Sequence, residues 1–262
     1  MRLAVAATAP LGAEVLRGLA ERHEVVYLLT RPDRPKGRGR RLGPPPAKDV
    51  AAELGIEVRQ PDRPGELVDL GVEVIVVAAY GALIPRELLD RALWLNVHPS
   101  LLPRWRGAAP VERAIMAGDT ETGVSIIKLV EELDAGPIGA AESFPIESED
   151  DAGAVFERAA RLAPGLVDAA LDAGEFTEQE GEATYAEKIG PVDRELDWSL
   201  PPGQLHNRIR ALSPHIGARG ELHGRPVIVW RSRLVAGELE VREVQPEGGR
   251  RMTLAEFERG LR

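Results

Sequence analysis

Two side chains able to do chemistry stand two residues apart in Leu95-Asn96-Val97-His98-Pro99. Asn96 carries an amide N–H that can donate to an oxygen on which negative charge develops. His98 can donate likewise or shuttle a proton, since an ordinary imidazole titrates at about pH 6.5. Alternation along a strand puts both on one face. Pro99 lacks an amide donor and ends the ladder. An apolar loop follows, Ser100-Leu101-Leu102-Pro103, then Arg104 and Arg106 around Trp105, then a small-residue stretch to Pro110, which can open a helix. An amide and an imidazole at a strand end beside an apolar loop suit a site. On spacing alone, a lone His at a strand end is more often a satisfied polar residue, and Asn96 can simply satisfy backbone groups. Metal ligation is not indicated: no second His or Cys lies at ligand spacing, and His23, His206, His215 and His223 are scattered.

A frame for these residues is legible. Arg2 to Thr8 reads as a buried strand. Ala13 to Glu21 reads as a helix with Val15, Leu16 and Leu19 inward, and Glu24 to Thr30 as a second strand. That βαβ start implies a parallel sheet. Glu73 to Ala79 is apolar enough to be a central strand, and it ends at Tyr80-Gly81. Ligands of open α/β sheets bind beyond the carboxyl ends of strands, so the ends at Tyr80 and His98 should be neighbours. Helices are expected at 47–54, 66–70, 85–90 and 108–117, the last stopped by Gly118, and a short strand at 56–59. Residues 123–130 and 137–144 can form a hairpin around the acidic turn 131–136. Asp150 or Asp151 caps a long helix to about Asp172. Between first strand and first helix there is no GxGxxG, which argues against a dehydrogenase. The fold expected is α/β, a Rossmann-like, mostly parallel sheet flanked by helices, with a small β-rich, reduced OB-like C-terminal domain. Its boundaries are 1–173, a linker at 174–202, and 203–262.

Composition narrows the classes. The 262 residues include no cysteine, so disulfides, thiolate zinc and a cysteine nucleophile are excluded. No apolar run approaches the roughly 20 residues of a membrane span. The apolar patch Leu3 to Ala7 is shorter than a signal-peptide core, so a first buried strand is expected instead. Net charge is −9, which disfavours wholesale nucleic-acid binding. Its distribution is uneven. Arg31 to Arg41 holds six basic residues (Arg31, Arg34, Lys36, Arg38, Arg40, Arg41) and one acid, Asp33, so +5, leaving −14 on the rest. Residues 203–262 carry eleven arginines against seven glutamates, +4. A basic loop on an acidic body is either a phosphate-backbone contact or a solvated surface loop.

Beyond local pattern, LNVHPSLLPRWRGAAP and ETGVSIIKLVEELDAGPI resemble the formyltetrahydrofolate-dependent formyltransferases, and within them the branch that acts on methionyl-tRNA. RPDRPKGRGRRL, VVAAYG, TYAEKI, LDWS and IRALSP stand in the same order. The resemblance implies transfer of a formyl group from 10-formyltetrahydrofolate to the α-amine of methionyl-tRNA, without a metal, in a cytoplasmic and monomeric enzyme. It implies Asn96, His98 and Asp134 as the catalytic trio, with Asp134 orienting His98 or holding a water. It implies Tyr80, Gly81, Ser100, Leu101, Leu102 and Pro103 at the folate. The basic residues of the loop, with Arg104 and Arg106, would meet tRNA. Ala7-Thr8-Ala9-Pro10, Lys128 and Gly139 depart from the usual pattern, and the C-terminal domain is short. A formyltransferase for a small amine, such as an amino sugar nucleotide, and a non-catalytic folate or tRNA binder are the alternatives.

Overall fold

The computed structural model describes residues 1–36 and 41–261. The first half runs β1 (Arg2–Ala7), α1 (Pro10–Ala20), β2 (Glu24–Leu29), β3 (Arg34–Lys36), β4 (Arg41–Gly43), α2 (Pro46–Glu53), β5 (Glu57–Arg59), β6 (Val74–Ala78), α3 (Arg86–Leu89) and β7 (Leu93–His98). Then come β8 (Arg106–Gly107), α4 (Pro110–Ala117), β9 (Glu121–Lys128), β10 (Ile138–Pro145) and α5 (Ala152–Ala173). The C-terminal part holds β11 (Tyr185–Ala186), α6 (Pro202–Ala211), β12 (Ala218–Leu222), β13 (Arg225–Val235), β14 (Glu238–Pro246), β15 (Met252–Thr253) and α7 (Leu254–Arg259).

The chain divides into two compact units. One comprises Met1–Arg106, Gly123–Ser143 and Glu157–Ala183; the other comprises Gly107–Thr122, Phe144–Phe156 and Thr184–Arg262.

The first unit is built on a seven-stranded sheet of order β10-β9-β7-β6-β1-β2-β5. Strands β5, β2, β1, β6 and β7 run parallel to one another, and β9 is antiparallel to β7. The expected βαβ start, central strand and antiparallel edge are all present. All five residues of β6 are buried, which is why its sequence is uniformly apolar rather than alternating. Trp94 of β7 is fully buried and its indole N–H donates to the Leu88 carbonyl at 2.8 Å, tying the short α3 to the sheet. Close helix packing has its own signature: a Cβ on Gly18 of α1 would lie 2.6 Å from Pro164 Cγ of α5. Asp151 caps α5 by accepting from the Ala154 amide at 2.9 Å.

Two local expectations are corrected. Residues 66–70 are not a helix; a single 3-10 turn, Pro64–Glu66, takes their place, because prolines suit a first turn and the segment is too short to nucleate more. The segment expected to be loop holds two short strands, β3 and β4, which pair antiparallel with Arg34 opposite Gly43.

The second unit carries a four-stranded antiparallel sheet of linear order β12-β13-β14-β15. Its core is Leu205, Ile209 and Leu212 of α6 and the following turn against Val227, Val229, Val244 and Phe257. A capping box of Thr253 and Glu256 starts α7. Gly118 ends α4 at φ +79, the left-handed conformation that its type favours. Among the described residues no helix is long and apolar enough to cross a membrane.

The frame is expected to be sensitive at its centre. Ile75 of β6 is fully buried. Ile75→Ala should lower stability by about 2–5 kcal/mol, read as a reduced urea midpoint at unchanged slope for the first unit's transition.

Candidate active site

Strand β7 delivers both candidate side chains to one place. Neighbouring β6 is parallel to it with Val77 opposite Asn96, so the β6 exit at Tyr80 lies beside the β7 exit at His98, as expected. Across the other edge, Asn96 pairs with Ile127 and His98 with Ser125 of β9. The acidic turn after β9 then returns Asp134 to the strand end. Asn96 Nδ2 donates to Asp134 Oδ1 at 3.2 Å, and His98 Nδ1 lies 3.6 Å from Asp134 Oδ2. The three residues therefore converge. His98 and Asp134 are buried, at 3% and 8% exposure, and Asn96 is half-buried.

The imidazole is fixed at its other end. His98 Nε2 lies 2.8 Å from the Trp105 carbonyl oxygen. A carbonyl can only accept, so the ring proton sits on Nε2 and a neutral ring leaves its Nδ1 lone pair toward Asp134. Trp105 reaches this position at φ +64, and Asp134 at φ +50. Left-handed backbone is costly for a Trp and better tolerated by an Asp, so strain is concentrated on the residue that holds the histidine. Burial pushes the His98 pKa below its ordinary value, while the Asp134 carboxylate and the Trp105 carbonyl oppose the shift. Burial is the larger of these effects. His98 is thus neutral at neutral pH with a base site facing a carboxylate.

The loop after β7 is held from below. Ser125, fully buried on β9, donates to the Ser100 carbonyl at 2.8 Å and accepts the Leu102 amide at 3.2 Å. Ser100, also fully buried, donates from Oγ to the Arg104 carbonyl at 2.7 Å. Leu102 is buried, whereas Leu101 and Pro103 are partly exposed. Sequence reasoning missed Ser125; its signal is a hydroxyl inside the otherwise apolar Val124–Ile127 run. Arg104 is exposed, with its guanidinium 4.5 Å from the Trp105 ring centre. Arg106 turns inward, its side chain 12% exposed, bonding Gln179 Oε1 at 2.8 and 3.0 Å and lying 3.5 Å from Glu132. Gln179 is a second missed residue, in the segment expected to be a linker.

Next to the β6 exit is a cavity of about 360 Å³. Tyr80 and Gly81 share its walls with Arg31, Arg34, Thr8 and the prolines 32, 45 and 46. Thr8 knits three strand ends together, donating to the Tyr80 carbonyl at 2.8 Å and accepting the Arg31 amide at 3.4 Å. Asp33, the acid in the basic segment, is bonded by Lys48 Nζ at 2.8 and 2.9 Å and by Gln60 at 2.9 Å. Asp33 is thus tied to α2 and to the residue after β5. Lys36 and Arg41 lie on the hairpin strands; Arg38 and Arg40 fall outside the described residues. Gly139, a departure in sequence, has a packing reason: a Cβ there would lie 2.7 Å from the Phe176 ring and 2.9 Å from Ala170.

The electrostatics give a signed expectation. Because burial lowers the His98 pKa and Asp134 raises it, Asp134→Asn should move the His98 titration to still lower pH. NMR of the ring would show a midpoint below 6.5 in the unaltered protein and a further fall in the variant.

Comparison with known proteins bears on the same residues. The chain matches the family described as formyl transferase over residues 1–171 and the formyl transferase C-terminal domain over residues 188–238. It is 38% identical over 291 residues to a methionyl-tRNA formyltransferase of Dechloromonas aromatica, covering 98% of this chain and 95% of that protein. A relative of the same name from Paracoccus denitrificans is 39% identical over 292 residues, with coverage of 100% and 98%. Among solved structures, the methionyl-tRNA formyltransferase from Clostridium thermocellum aligns with TM-score 0.69 at 17% identity, over 94% of this chain and 98% of that one. HypX from Aquifex aeolicus in complex with tetrahydrofolic acid aligns at 0.68 and 19% identity, over 98% of this chain and 46% of that one. These two likenesses concern the fold alone. With the first family match spanning the whole β7 to Asp134 region, the chain belongs to the formyl transferase family.

Proposed function

We propose that this protein transfers the formyl group of 10-formyltetrahydrofolate to the α-amine of methionyl-tRNA, giving formylmethionyl-tRNA for translation initiation. The observation that carries the reading is the convergence of Asn96, His98 and Asp134, with His98 Nδ1 3.6 Å from Asp134 and Nε2 committed to Trp105. Relatives of 38–39% identity along nearly the whole chain bear the name of that activity.

An amine attacking a formyl carbon gains positive charge while the formyl oxygen gains negative charge. Asn96 has two amide protons. One is held by Asp134, and the other is available to the developing oxyanion. His98 takes the amine proton at Nδ1, where its lone pair stands. Asp134 then faces an imidazolium rather than a neutral ring and stabilises it by charge, and His98 can return that proton to the departing folate nitrogen as its bond to the formyl carbon breaks. Burial of the pair keeps water away from this exchange and strengthens its electrostatics.

The donor folate fits the residues present. Gly81 is exposed at φ +75, and a Cβ there would meet nothing within 4 Å, so a flat ring can approach the backbone. Tyr80, Gly81 and the Ser100-Leu101-Leu102-Pro103 loop would hold the folate, which supplies an activated formyl group when bound. Ser100 would act through the loop, since its hydroxyl is already bonded to Arg104. The tRNA would be met by Arg31 and Arg34 at the cavity rim, by Lys36 and Arg41 on β3 and β4, by Arg38 and Arg40 of the same basic segment, and by Arg104. Arg106 would serve the tRNA through the loop it braces. The region up to residue 173 would carry the chemistry and 203–262 the docking of tRNA, in a cytoplasmic monomer.

Single-turnover formylation of methionyl-tRNA tests the reading. Product is expected with the unaltered protein, and His98→Ala should lower the rate by about 10²–10⁴. No formyl transfer by the unaltered protein rejects the reading. Arg31→Ala with Arg34→Ala should raise KM for tRNA and flatten its salt dependence while kcat stays within about twofold; an unchanged KM would remove the cavity rim from tRNA binding.

A further inference from the structure

Asp134 stands on a short turn at the end of β9, with no regular element to set its position. Within the turn the Ala135 amide donates to the Glu132 carbonyl at 3.3 Å, and at its base the Lys128 amide donates to the Pro137 carbonyl at 3.0 Å. On one side Gly136 packs against the Lys128 carbonyl so closely that a Cβ would overlap it. On the other side is Gln179. Its Nε2 donates to the carbonyls of Asp134 and Gly136, both at 2.8 Å. Its Oε1 accepts from Arg106 Nε at 3.0 Å and Nη2 at 2.8 Å. Arginine has donors only, and carbonyls accept only, so both ends of the amide are matched and its orientation is fixed.

Arg106 is bonded covalently to Trp105, whose carbonyl holds His98 Nε2 at 2.8 Å. A closed circuit results: His98 to Trp105, Trp105 to Arg106, Arg106 to Gln179, Gln179 to Asp134, and Asp134 back to His98. We infer that Gln179, gripped by Arg106, is a positioning residue that sets where the Asp134 carboxylate stands relative to His98 and Asn96. This rests on the formyl-transfer reading for its catalytic consequence, though the geometry it claims is independent of it. The chemistry of the link predicts which replacements fail. Gln179→Glu keeps an acceptor for Arg106 but turns oxygen toward two carbonyl oxygens. Gln179→Leu keeps the volume and removes every bond. Arg106→Lys keeps the charge and loses the forked grip.

The test compares Gln179→Leu, Gln179→Glu, Asp134→Asn and the double variant Asp134→Asn with Gln179→Leu, each checked for a native urea midpoint. A shift of the carboxylate by about 1 Å is expected to cost up to about 10²-fold in kcat, with KM for both substrates changed less than about twofold. The acid limb of the pH–rate profile should move to lower pH, in the same sense as for Asp134→Asn. In the Asp134→Asn background, Gln179→Leu should cost less than about twofold, because the group it positions is gone. The same downward shift of the His98 ring titration is expected by NMR, without any turnover. An unshifted His98 titration in Gln179→Leu, or an undiminished loss of kcat in the double variant, overturns the inference. Absence of formyl transfer by the unaltered protein overturns the reaction instead, leaving the NMR result to decide the geometry.

Discussion

The structure depends on one hydrogen bond at the end of β7, from His98 Nε2–H to the Trp105 carbonyl. It decides which nitrogen carries the proton, and so which nitrogen can take one. Everything near it is arranged around that choice. The loop between the two residues is short and is clamped by buried hydroxyls, Ser125 from β9 and Ser100 from the loop itself. Trp105 accepts an unfavourable backbone conformation to aim its carbonyl. With Nε2 committed, Nδ1 faces Asp134, and the histidine becomes a base whose conjugate acid has a counter-charge waiting.

Burial gives this arrangement its meaning. The same imidazole in water would be partly protonated at neutral pH and its carboxylate neighbour screened. Inside the sheet, desolvation depresses the His98 pKa and holds the ring neutral until a proton arrives from a reacting group. The sheet makes that burial affordable by its topology. The reversal of direction between β7 and β9 puts Ser125 beside His98 and sends the chain into the acidic turn that carries Asp134. A wholly parallel sheet would need a long crossover at this point and could not return the carboxylate so directly.

Much of this was legible in the sequence because it rests on local rules. The period-2 placement of Asn96 and His98, the proline stop at Pro99 and the apolar run of β6 all follow from strand geometry and appear as read. The convergence of Asp134 with them is a contact between residues 36 and 38 positions apart, and the resemblance of the surrounding motif, rather than any spacing, pointed to it. What stayed hidden has a common physical character. The Trp105 carbonyl is main chain, identical in every residue type. Ser125 and Gln179 act by bonding backbone, and such bonds leave little mark on composition or periodicity. Gln179 was further obscured because its segment lacks regular structure, yet a segment without periodicity can still be pinned by side-chain to backbone bonds. The hairpin β3–β4 was read as loop because its glycines, prolines and arginines carry low strand propensity, and its root is held instead by Asp33, Lys48 and Gln60.

The central claim, a neutral His98 protonated on Nε2 with Nδ1 free to accept, is open to direct measurement. ¹⁵N NMR of the protein labelled at histidine, at neutral pH, reports the protonation of each ring nitrogen separately. The account predicts a protonated Nε2 and an unprotonated Nδ1 for His98. A proton on Nδ1 at that pH, whether in the other neutral form or in an imidazolium, would contradict it.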